Sequence, residues 1–195
     1  KRGPDPVPEH DSHGEYIYAV WEYYRFTHDR TFLERHWPRV QKAVAYIEAI
    51  RSERKTDEYR LAPEGSAKRA MYGLVPESIS HEGYSAKPMH SYWDDFFTLK
   101  GLNDAASIAG VLAPSETARY IAIAADAQTC FDESLKRAMA LKSIDYIPGC
   151  VELGDFDATS TAIGVWPCGQ MERLPKLALD RTFEKYWEFF QARRD

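Results

Sequence analysis

Apolar side chains recur along most of this sequence at helical spacing, in segments that come two at a time, and this constrains the fold more than any other feature. Tyr16, Val20, Tyr23, Tyr24 and Thr27 follow the Asp11-Ser12 start signal and predict a helix over 13–27. Phe32, Leu33, Trp37, Val40, Ala43, Val44 and Ile47 continue the period to about Ile50, with Pro38 either kinking the segment or marking its start. Only a few residues separate the two, so they should pack antiparallel as a hairpin. A second pair is predicted over 90–112 and 114–141, the latter opened by Pro114-Ser115-Glu116. The third joins a short alanine- and threonine-rich helix over 157–166, stopped by Pro167 and Gly169, to a final helix over 175–193. Phe183, Tyr186, Trp187 and Phe190 are expected to face inward there, and Trp21, Tyr23 and Tyr24 to be core. The expected fold is therefore all-α: three antiparallel helical hairpins in one domain, 1–195.

Between the pairs lie two long loops rich in chain breakers. Residues 52–89 hold Pro63, Gly65, Gly73, Pro76, Gly83 and Pro88, leaving room only for turns or short strands. Residues 143–157 contain Ile144-Asp145-Tyr146-Ile147 and Cys150-Val151-Glu152-Leu153 around Pro148-Gly149, a pattern that suits one very short β-hairpin. Loops this long in compact domains usually carry function. Both follow the second helix of a pair, so both belong to the same end of the assembly.

Composition excludes some functions. With 195 residues, 44% of them hydrophobic, the chain is long enough to bury a core. A net charge of -5 and a pI near 5.7 argue against nucleic acid as a partner, because such affinity comes from Lys and Arg neutralising phosphates. No apolar run is long enough to predict a membrane span. Cys130, Cys150 and Cys168 form no CxxC, and an odd count leaves at least one thiol unpaired within the chain.

The chemistry concentrates in 73–95. Four acids (Glu77, Glu82, Asp94, Asp95), two histidines (His81, His90) and three aromatics (Tyr84, Tyr92, Trp93) crowd around the start of a predicted helix. A carboxylate beside aromatic rings suits a sugar: the acid exchanges protons while the rings stack on the apolar faces.

The ordered set DSHGEYIYAVWEYY, PESISHEGY with MHSYWDDF, and GDFDATSTAIGVWP resembles the six-hairpin glycosidases, the (α/α)6-toroid glycoside hydrolases that include glucoamylases, trehalases and debranching enzymes. The matching positions are Gly14-Glu15, Glu77 or Glu82, His90-Ser91, and Asp157-Ala158-Thr159-Ser160. The resemblance spans most of the chain but only half of such a toroid, three of its six hairpins. It implies a fragment of a larger catalytic domain, with a carbohydrate substrate and the remainder of the parent polypeptide as partner; no cofactor is expected. Inverting members need an acid and a base roughly 6.5 to 9.5 Å apart. In the family the base lies near the last hairpin, so the resemblance implies that this chain holds the acid and, alone, is inactive.

Each candidate has an ordinary alternative. Glu82, beside His81 and Gly83, is the first candidate for proton donor, with Glu77 after Pro76 competing; the alternative for each is a solvated loop acid. A trehalase-like register makes Asp94 the acid instead. Asp95 and Asp94 also favour the positive end of a helix dipole. His90 is a substrate donor or a cap, while Asp155 and Asp157 are hydroxyl ligands or, for Asp157, a helix cap. Glu15 is a sugar ligand or a first-turn acid. Trp93 and Trp166, near loop ends, are the candidate stacking platforms. His10 and His13 lack a third ligand at a recognised spacing, so no metal is expected. The rival to the enzyme is a non-catalytic helical scaffold that binds carbohydrate or protein, and a three-hairpin chain has a further option of burying its open face as a homodimer.

Overall fold

The structure, a computed structural model, describes residues 9–80 and 84–194. Among them the chain is all-α apart from one two-stranded antiparallel hairpin. Helices α1 (Ser12–Thr27) and α2 (Arg30–Ser52) form the first pair, turning at His28 in the left-handed region. Asp29 caps α2 by accepting from the Phe32 amide, and Pro38 lies inside the continuous helix. The loop that follows holds two single-turn helices, α3 (Asp57–Arg60) and α4 (Ala67–Ala70), then strands β1 (Ser78–Ser80) and β2 (Tyr84–Met89). Next come α5 (Tyr92–Leu112), a 3-10 turn at Pro114–Glu116, and α6 (Thr117–Lys142). The third pair is α7 (Ala158–Val165) and α8 (Lys176–Gln191).

Helix α5 is the axis of the core. Fifteen of its residues are buried, on every face, and it packs against α1, α2, α6 and α7. Tyr92, Phe96, Leu99, Leu102 and Ile108 are among its fully buried side chains, interleaved with Ile17, Leu33, Ile47 and Phe131 from the neighbouring helices. Such a helix, apolar all round, must lie inside the assembly. The closest approach is between α1 and α5. A methyl group at Gly14 would lie 2.1 Å from the Phe97 carbonyl oxygen, and one at Gly101 would lie 2.6 Å from the Gly14 Cα. Only two glycines allow the backbones to meet there, and this contact sets the start of α1 beside the start of α5.

Three expectations fail in the details. Segments 144–147 and 150–153 do not pair with each other; instead Cys150 forms a single antiparallel bridge with Ser91, Tyr92 donates its amide to the Gly149 carbonyl, and the Val151 amide donates to the His90 carbonyl. The apolar residues of that loop are used to pair with the entry to α5, which offers a free backbone edge where a helix has not yet begun. The outward face of α8 is the second correction. Leu177, Phe183, Trp187 and Phe190 are exposed, at 84%, 46%, 62% and 54%, while Ala178, Leu179 and Thr182 make its inward contacts. The helix carries apolar residues on two sides, and the smaller side chains face the core. Tyr23 is the third: it is 44% exposed and packs on Phe32 rather than entering the core.

Candidate functional site

The starts of α1, α5 and α7 gather at one end together with the β-hairpin and the 143–157 loop. Ser91 caps α5, accepting from the Trp93 amide, which leaves the acids of the first turn to other work. Asp95 accepts from the Val75 amide at 3.2 Å and Asp94 from the Ser78 hydroxyl, so the two acids tie the 73–78 segment onto the helix. Both are buried, at 2% for Asp94 and 3% for Asp95. Burial pushes the Asp95 carboxyl up to about 7, against the pull of the Val75 amide and of Arg51. Its Oδ2 has no partner among the described residues. Asp95 therefore works as an internal anchor and not as an open ligand.

The 73–78 segment is held from the other side by the end of α2. Arg51, itself buried, donates from Nε to the Gly73 carbonyl at 2.8 Å and from Nη1 to Asp126 on α6 at 3.1 Å. One turn later, Arg54 donates from Nη2 to Glu77 and from Nε to the His90 Nε2 at 3.2 Å. On the far side of the imidazole, Nδ1 lies 2.7 Å from Glu152, whose carboxylate also accepts the His90 backbone N–H at 3.0 Å. Glu77, Arg54, His90 and Glu152 thus form a continuous run of contacts that passes through the buried His90 ring. Burial raises the Glu77 carboxyl, but the hydrogen bond and charge of Arg54 outweigh it and hold the group below the usual carboxylate range.

His10, just before α1, is buried beside this run. Burial, then the neighbouring positive charge of His13 and Arg54, lowers its pKa to about 4, so the ring is neutral at pH 7. Its Nδ1 has no partner among the described residues. Trp93 is only 8% exposed and donates Nε1–H to Asp11 at 2.8 Å. The expectation that Trp93 offers an open stacking face is corrected: its ring packs on Phe97 and its polar edge is committed.

At the third helix start, Asp157 caps α7, accepting from the Thr159 amide at 2.9 Å and the Ser160 hydroxyl at 2.7 Å. Asp155 accepts from the Tyr84 hydroxyl at 3.0 Å, joining the 143–157 loop to β2. Burial, with the nearby Cys150 and Asp155, raises the Tyr84 phenol so that it stays protonated and donates. Gly149 makes this junction close: a methyl there would lie 2.2 Å from the Tyr84 hydroxyl and 2.5 Å from the Asp157 Cβ.

Among the sequence candidates, Glu77, His90, Asp94, Asp155, Asp157 and Trp93 come to this end. Glu82 lies outside the described residues. Trp166 caps the opposite end of α7, about 12 Å of helix away from Asp157, and is 74% exposed. Glu15 lies in the first turn of α1, where it acts electrostatically on the Cys168 thiol. Arg54 and Glu152 were not singled out by the sequence. Arg54 sits in a charged helix end that reads as solvated, and Glu152 in a run that reads as strand.

Compared with protein-family models, curated proteins and solved structures, the chain matches none. Its chemistry must therefore be judged from its own residues. Among the described residues no group of three or more His, Cys, Asp or Glu side chains is placed to hold a metal ion, and no helix is long and apolar enough to cross a membrane. All three cysteines are free and buried.

Proposed function

We propose that this chain is part of a glycoside hydrolase domain of the six-hairpin type, cleaving an O-glycosidic bond of a carbohydrate by acid-base chemistry. The observation that carries it is the meeting of Glu77, Arg54, His90 and Glu152 where three helix starts and two acidic loops converge. Alternating donors and acceptors at partly buried positions suit a neutral, hydroxyl-rich ligand. The order of motifs along the chain supports the same reading. Glu82 is the first candidate for proton donor and Asp94 the second. Glu77 is the weakest of the three in that role, since a donor must arrive protonated and Arg54 favours the charged form. The base that activates water belongs to hairpins that this chain does not contain, which makes the remainder of the parent polypeptide a partner and the 195 residues inactive alone. The open apolar face of α8 is consistent with such neighbours, or with a second copy of the chain.

The test uses a full-length protein carrying all the hairpins. Glu82→Gln or Asp94→Asn lowers hydrolysis of the cleaved glycoside by about 10²-fold or more, the usual contribution of a positioned acid. Wild-type rates in both variants and in Glu77→Gln would sink the assignment.

One observation favours a second reading, a binding scaffold without catalysis. Asp94, Asp157 and Trp93 are each engaged within the fold, by Ser78, Ser160 and Asp11. A scaffold binds sugar but hydrolyses none, so the same rate measurements separate the two.

A further inference from the structure

We propose that Arg54 and Glu77 are a binding pair for two adjacent hydroxyls of a neutral sugar, and that His90 and Glu152 are positioning residues that hold the pair in place. This deepens the carbohydrate reading above and rests on it for the class of ligand.

Glu152 anchors the end of the run opposite Glu77. A carboxylate only accepts hydrogen bonds, so Glu152, 2.7 Å from the His90 Nδ1, requires the proton on that nitrogen. A guanidinium only donates, so Arg54 Nε, 3.2 Å from Nε2, requires a lone pair on the other. These two contacts place the ring proton on Nδ1 and the lone pair on Nε2, and the Glu77 carboxylate lies 3.5 Å from the same Nε2. The Glu152 carboxylate also grips the His90 backbone N–H, which fixes the ring's origin as well as its proton. With Nε2 fixed as an acceptor, the planar fork of Arg54 has one orientation, and its Nη2 meets Glu77. Tyr59 supports the guanidinium from its ring face at 5.4 Å, and Glu53 lies 3.7 Å from Nη1.

Exposure shows which part of the run meets solvent. The side chains of His90 and Arg54 are 5% and 12% exposed, whereas that of Glu77 is 46% exposed. The run thus ends at an accessible carboxylate with the largely buried Arg54 guanidinium directly behind it, and such a fixed donor and acceptor are arranged for a ligand. Neighbouring hydroxyls on a sugar ring each donate and accept, so one can give to Glu77 while the other takes from Arg54. The Arg54 cation is already matched by Glu77, with Glu152 and Glu53 adding negative charge, so an acidic sugar meets repulsion where a neutral one does not. The neutral ring of His10, with Nδ1 unpartnered among the described residues, adds one more polar atom beside the pair.

Two measurements on the full chain test this. In long-range 1H–15N spectra, the His90 ring carries its proton on Nδ1 in the wild type. The double variant Glu152→Leu, Arg54→Leu removes both constraints and moves the ring toward the Nε2–H form that a free imidazole side chain favours. An Nε2–H ring in the wild type, or an unchanged ring in the variant, overturns the positioning role. In the second, amide shifts are followed while methyl glucoside, methyl galactoside and methyl mannoside are titrated, with methyl glucuronide as the acidic comparison. At least one neutral glycoside binds saturably, and Glu77→Gln and Arg54→Lys each weaken it by about tenfold or more, the loss of a charged hydrogen bond. Glu152→Gln weakens it too. Absence of binding by all three neutral sugars, equal binding of the glucuronide, or undiminished binding in Glu77→Gln overturns the pair. Binding is read without turnover, so a protein that binds by this pair yet hydrolyses nothing would refute only the glycosidase. Hydrolysis with unchanged binding in Glu77→Gln would refute only the pair.

Discussion

Two buried titratable side chains, Asp95 and His10, make the stability of this protein depend on pH in opposite directions. Asp95 has a folded pKa raised from 3.8 to about 7, chiefly by burial, so the folded chain holds its proton more tightly than the unfolded chain. Its contribution to stability is therefore present at low pH and is lost as pH rises from about 4 to about 7. His10 has a folded pKa lowered from 6.5 to about 4, again chiefly by burial, so stability is present above 6.5 and lost as pH falls toward 4. Asp95→Asn should flatten the alkaline side, raising the urea midpoint at pH 8 relative to pH 5 by an amount worth a few kcal/mol, since each tenfold change in proton affinity is worth about 1.4 kcal/mol. His10→Asn should flatten the acid side. Midpoints that move in parallel at both pH values for either variant would contradict these assignments. Neither behaviour was legible in the sequence. Asp95 read as a helix-dipole acid, and only the Val75 amide and the surrounding apolar packing reveal it as an interior anchor.

At the scale of elements, the helices were readable because their periodicity is local, and the site was not because its contacts are distant. The predicted segments 13–27, 90–112 and 114–141 agree with α1, α5 and α6 to within about three residues at each end. His90, by contrast, meets Glu152 across 62 residues and Arg54 across 36, and no spacing rule reaches that far. The 150–153 run has strand-like composition, yet it pairs with the entry to α5 because the backbone there was the nearest unsatisfied edge. Asp157 shows a motif whose ordinary meaning holds: it caps α7. Asp157→Ala should cost about 1 kcal/mol in chemical unfolding, and Asp157→Ser, which restores a capping oxygen, should recover most of it. A loss of equal size in both would point away from capping. The glycine contact between α1 and α5 is the most sensitive element interface. Gly14→Ala gains about 1 kcal/mol of helix propensity but drives a methyl into backbone, for a net loss of roughly 2 kcal/mol or more, measurable as a lowered melting temperature.

For the whole molecule, the all-α character and the gathering of both long loops at one end were accessible from the order of patterns. The asymmetry of α8 was not, because a helix with apolar residues on two sides gives no sign of which side meets the core. Packing decides it: the small Ala178 and Thr182 fit against the body, and Thr182 donates to the Ala178 carbonyl while accepting from the Ile147 amide. Trp187, 62% exposed, contributes little to the isolated chain, and Trp187→Ser should change its unfolding free energy by less than about 0.5 kcal/mol. A large loss would mean that this face is covered in solution. The seam at Gly14 and Gly101 has a wider consequence for motion. Backbones in direct contact leave no room for α1 and α5 to slide, so amides on either side of that seam should exchange with deuterium only when the entire chain unfolds. Any opening that admits a ligand then belongs to the loops, and its clock is set by the few bonds that Gly149, Tyr84 and Glu152 make across them.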